Sequence, residues 1–267
     1  MCHKKRTKDS CSNITPSLDC KLSVSKIKFL SNVGNKQLFL CLLQNYLTAR
    51  GIKVTTATSD ADVLMCREAV EYCYGSDVSL IGDGTDLLVL LLHMMRHHSF
   101  EHKLILTIKT HVYDLEKTRI RLGEKIGNSI LLIHAFTGCD TTSRIRGICK
   151  DKLFKVIGNV SSEIIDAFYS PTSPAAQIKD AGEQLFILLL SRITLSLDDA
   201  RLLALQQRVL TSSIEVKCQQ LPPTSGSAAQ HSYRVYHQIQ QWDEMNLDPT
   251  LWGWKIKKGQ YLPYLLL

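Results

Sequence analysis

The chain has 267 residues, 45% of them hydrophobic and 21% charged, with a formal net charge of +7. This composition excludes a fully disordered, collagenous or coiled-coil protein, and no apolar run reaches the roughly 18–20 residues that cross a bilayer. The basic excess suits an anionic partner such as nucleic acid. The start, residues 1–8, is polar and basic with no apolar stretch behind it, so an intracellular protein with no membrane partner is expected.

In chain order, residues 1–25 read as a polar tail. Leu38, Phe39, Leu42, Leu43, Tyr46 and Leu47 recur at helical spacing and predict a helix over 36–47, stopped by Gly51. The β-branched stretch 52–57 predicts a strand, and 60–74 a second helix. A buried strand follows at 78–81, a third helix from 86 to 95, a strand at 104–108 and a further strand over 112–121. That alternation predicts a parallel sheet with helices on both faces. Helices are then predicted over 128–136, 150–157, 161–168, 175–191 and 198–210, a Pro/Ser/Gly loop at 221–227, and a last helix over 232–242. The expected division is a tail (1–25), an α/β core (26–160), a helical extension (161–220), a linker (221–230) and an aromatic carboxyl-terminal segment (231–267). The nine cysteines include no C-x-x-C pair and read as free thiols.

Five acidic residues fall at element boundaries. Asp60 and Asp62 open the second helix, Asp83 and Asp86 follow the 78–81 strand, and Asp140 follows the 128–136 helix. Ligands of open α/β sheets bind at the carboxyl ends of the strands, where sequence order puts the first four. Two carboxylates ~4 Å apart repel by roughly 1 kcal/mol in water and about 4 kcal/mol at a protein-like dielectric. A hard divalent cation reverses that sign, and two of them could clamp a phosphodiester for attack by water. Against this stands capping: Asp60, Asp83 and Asp140 could each close a helix N-terminus.

Other residues offer weaker signals. His93 and His97 have the i, i+4 spacing of helical zinc ligands, but nothing nearby completes a set, and a solvated helix end is the expectation. Trp252, Trp254 and Tyr261 could stack bases, and are expected instead to form a packing plug against the sheet.

Three motifs, Ser59-Asp-Ala-Asp62, Ile81-Gly-Asp-Gly-Thr-Asp-Leu-Leu-Val-Leu90 and His134-Ala-Phe-Thr-Gly-Cys-Asp-Thr-Thr-Ser143, follow an order that resembles PIN-like nucleases of the flap endonuclease class. The likeness is greatest to a group of uncharacterised metazoan proteins with this core, and it extends to the Leu247-Asp-Pro-Thr-Leu-Trp-Gly-Trp-Lys255 segment. The resemblance covers roughly 26–258. It implies a PIN-like α/β fold, with a parallel central sheet, flanking helices and a mainly helical second half. It also implies Mg²⁺ or Mn²⁺ held by Asp60, Asp62, Asp86 and Asp140, with Asp83 as a stand-in ligand, and cleavage of DNA or RNA. Two departures accompany it: Gly84 stands where the family has a metal-binding Asp, and no apolar strand leads into Asp9 or Asp19, so the chain is expected to be amino-terminally short. The segment 144–152 resembles a helix-hairpin-helix turn, with Cys149 in place of its second glycine, and implies phosphate contacts through Arg144, Arg146, Lys150 and Lys152. A solvated helix face is the other reading of that basic run. The functional expectation is a nuclease-related protein with an incomplete acidic site; the alternative is a non-catalytic module that binds nucleic acid or protein.

Overall fold

The computed structural model describes residues 11–57, 60–190, 196–211 and 216–264. The chain divides into two compact units, one ending at Leu64 and one beginning at Met65.

The first unit is helical. Helix α1 (Lys26–Ser31) is capped by Ser25, and α2 (Val33–Thr48) by Asn32, whose side chain accepts from the Asn35 N–H at 3.1 Å. These asparagines also bind the chain ahead of them. Asn32 Nδ2 donates to the Cys11 carbonyl at 2.7 Å, and Asn35 Oδ1 accepts from the Ile14 N–H at 2.7 Å. Residues 11–14, read as part of a tail, are thus tied to the helices. The helix predicted over 36–47 lies within α2. The strand predicted over 52–57 does not form: those residues are irregular, and the described part of this unit holds no strand to pair with them.

Helix α3 (Ala61–Tyr72) carries the division between the units. The second unit then builds a crossover: β1 (Val78–Gly82), α4 (Thr85–Met94) and β2 (Leu104–Ile108), with β1 and β2 parallel and Leu80 opposite Leu106. Next, β3 (His111–Asp114) turns back antiparallel on β2. The sheet, in order β1-β2-β3, is therefore mixed, not the parallel sheet expected. The strand predicted over 112–121 ends at Asp114 because that side chain accepts from the Lys117 N–H, 3.1 Å, and starts α5 (Leu115–Leu122).

From there the chain is helical: α6 (Glu124–Asn128), α7 (Ile130–Thr137), α8 (Lys150–Val156), α9 (Ser162–Tyr169), α10 (Ala175–Leu190), α11 (Leu197–Thr211) and α12 (Ser225–Trp242). A hairpin, β4 (Trp254–Lys257) and β5 (Gln260–Pro263), follows. The molecule is mixed α/β with a helical second half.

Every residue of α7 is buried, and α4, α8 and α12 pack around it. Such an all-round apolar helix belongs at the centre of a core. Helix α12 also packs on α9 and α10. Its contact with α10 depends on Gly182, where an added Cβ would lie 2.6 Å from Ser232 Cβ. Thr224 caps α12 by accepting from the Ser227 N–H at 3.2 Å, so helix begins inside the stretch read as a linker. Trp252 packs on the Tyr236 ring of α12, 4.5 Å between centroids. Among the described residues, no helix is long and apolar enough to cross a membrane.

Candidate functional site

The five carboxylates have distinct surroundings. Asp60 precedes α3, and its Oδ1 accepts from the Asp62 N–H at 2.9 Å, an N-terminal cap bond. Asp62 lies in the first turn of the same helix. Both belong to the first unit, whereas Asp83, Asp86 and Asp140 belong to the second. Asp83 is exposed, with Oδ1 3.8 Å from Lys109 Nζ, and caps nothing; the residue at the start of α4 is Gly84, in extended backbone with φ −133°. Asp140 is exposed in the loop after α7. Among the described residues no three His, Cys, Asp or Glu side chains are grouped to hold a metal ion.

Asp86 is the most constrained of the five. It sits in the first turn of α4, where the helix dipole favours a negative charge. Its Oδ1 accepts from His134 Nε2 at 2.9 Å. That bond holds the Asp86 carboxyl below the ordinary carboxylate range, against the opposing effect of burial, with Lys150 contributing. His134 is buried within α7, its ring stacked on Trp242 with centroids 5.7 Å apart. Its Nδ1 has no hydrogen-bond partner among the described residues.

A second pair repeats the pattern. His93 Nε2 meets Asp243 Oδ1 at 3.0 Å, and the His93 ring stacks on Tyr169 at 5.9 Å. Burial pushes the His93 pKa down, and the bond to Asp243 opposes it. Asp86 and His93 are seven residues apart, two turns along one face of α4. Their partners come from α7 and from the residue after α12, so two buried imidazoles tie three helices together. The solvated helix end expected for His93 is therefore incorrect, since this residue is buried. The apolar character of α4 on all sides explains why.

The loop after α7 is closed by threonines. Thr142 Oγ1 donates to the Ala135 carbonyl at 2.6 Å and accepts from the Cys139 N–H at 3.0 Å, while Thr141 Oγ1 bonds Gln238 of α12. Gly138, at φ 108°, lets Arg144 pass close over it: an added Cβ would lie 3.1 Å from Arg144 Cα. The chain then turns at Ile145–Ile148, closed by a 3.1 Å bond from the Ile148 N–H to the Ile145 carbonyl. Gly147, at φ 80°, occupies the third position, which demands positive φ.

Arg146 on this turn and Arg144 just before it are exposed. Lys150 is half-buried. Burial pushes its pKa down, and the charge of Asp86 opposes that shift. Lys152 and Arg146 share the lining of a cleft of about 610 Å³ with Arg208 from α11. The residue reading missed the Asp86–His134 bond and the place of Arg208. His134 stands inside a quoted motif, but nothing local marks a partner 48 positions away. Arg208 carries no motif at all.

In comparisons with protein-family models, curated proteins and solved structures, nothing matches this chain.

Proposed function

We propose that this protein binds DNA or RNA through the basic 144–152 segment and is a nuclease-related, PIN-like chain that does not cleave what it binds. The observation that carries the reading is the glycine turn after α7, which exposes Arg144 and Arg146 with Lys152 beside them. Exposed guanidiniums suit phosphate oxygens, and release of counterions makes such binding salt-dependent. Against cleavage, His134 occupies Asp86, and Gly84 offers no side chain where the resemblance calls for a ligand. With His134 on Oδ1, Asp86 offers a cation chiefly its second carboxylate oxygen.

The test is fluorescence anisotropy of a labelled single strand and a duplex over a salt series, with wild type and the Arg144→Glu/Arg146→Glu variant. Salt-sensitive binding by wild type is expected. Loss of two phosphate contacts should flatten the log–log salt slope by about 1.5–2. Equal binding by the two proteins places the contact surface elsewhere.

A further inference from the structure

The cleft beside the 144–152 segment is lined by Arg146 and Lys152 together with Arg208 of α11. Among the described residues that line it there is no carboxylate, and none of these three cations has an ion-pair partner among the described residues. Three cations lining one concavity repel one another, the more so the closer they lie. An anion with several oxygens removes that repulsion.

The rest of the lining says what such an anion is attached to. Leu190, Ala204, Leu221 and Pro222 supply an apolar wall. At about 610 Å³ the cleft falls within the roughly 300–1,000 Å³ of small-molecule sites, larger than a bare phosphate needs. The wall is braced: Arg208 Nη1 donates to Gln220 Oε1 at 2.7 Å, and Arg201 of the same helix donates to the Pro222 carbonyl. The first of these bonds uses one guanidinium nitrogen, and the remaining N–H groups of Arg208 are still available to a planar or tetrahedral oxyanion.

We infer that this cleft binds a phosphomonoester of mononucleotide size, with Arg146, Lys152 and Arg208 on the phosphate and the apolar wall against the base or sugar. A free nucleotide and the 5′-phosphorylated end of a strand share that chemistry. The cleft has Arg146 and Lys152 in common with the basic surface proposed above, but Arg208 and the apolar wall lie outside the 144–152 segment.

The test is calorimetry of the full chain with AMP and with adenosine at low salt, repeated on Arg208→Gln and Arg146→Ala. Saturable AMP binding without adenosine binding is expected, weakened about tenfold or more in each variant, the effect of losing a charge-assisted hydrogen bond. Circular dichroism checks that Arg208→Gln, which disturbs the contact to Gln220, still folds. Arg146→Ala changes an exposed turn residue and carries the test if it does not. Competition between AMP and two short strands that differ only in a 5′ phosphate separates the sources. Displacement by the phosphorylated strand alone marks a strand end, and displacement by neither marks a free nucleotide; both support the site. No AMP binding by wild type, or AMP binding unchanged in Arg146→Ala, overturns it. Strand binding without AMP binding removes the cleft and leaves the nucleic-acid surface standing, whereas AMP binding without strand binding does the reverse.

Discussion

At the scale of single residues, the buried histidines dominate. Asp86→Ala strands the His134 Nε2 in the core with no acceptor. A buried donor left unpaired costs roughly 1–3 kcal/mol, and urea denaturation should register that loss. Asp86→Asn, which keeps an acceptor oxygen, should cost less. His231 gives a pH dependence. It is buried against Phe136 and Phe186, and its Nε2 donates to the Phe136 carbonyl at 3.0 Å. Burial pushes its pKa down to about 4. The folded state therefore binds the proton less well than the unfolded chain, whose histidines titrate near 6.5. The associated stability is complete above about pH 6.5 and is lost as pH falls toward about 4, a change on the order of 3 kcal/mol. Denaturation midpoints measured across that range should fall for wild type and fall less for His231→Gln, which keeps a donor and does not titrate. None of these partnerships could be read from the sequence. A histidine in an apolar run is recognisable, but its acceptor is chosen by packing between distant helices, and spacing along the chain carries no trace of that choice.

At the scale of elements, the tightest packing lies between α10 and α12, at Gly182 and Ser232. Gly182→Ala should destabilise by about 1–3 kcal/mol through overpacking, seen as a lowered thermal midpoint. Adding Ser232→Gly removes the opposing Cβ and should restore part of the loss. Most helices were legible, because their apolar residues repeat with the helical period. The helix predicted over 36–47 falls within α2, that over 198–210 within α11, and that over 232–242 within α12. The errors have local causes. The stretch 52–57 has strand-like residues but no strand among the described residues of its unit. The alternation over 112–121 hid the Asp114 cap, which converts strand to helix after one residue. The Pro/Ser/Gly run near 221–230 concealed Thr224, a cap strong enough to begin α12 at Ser225.

At the scale of the molecule, the account rests on charge and on what has become of the acidic motifs. The net charge of +7 has an exposed outlet at Arg144 and Arg146. The motifs that sequence order aligned are differently engaged in the fold: Asp60 caps a helix, Asp83 faces Lys109, and Asp86 is bound by His134. Sequence spacing showed that carboxylates fall at element ends, which is where both caps and ligands occur. The most direct measurement incubates the purified chain with an end-labelled strand and Mn²⁺, and records anisotropy and fragment length on the same sample. The account expects salt-sensitive binding and an intact strand over hours. Mn²⁺-dependent shortening that disappears in a folded Asp86→Asn variant would contradict it.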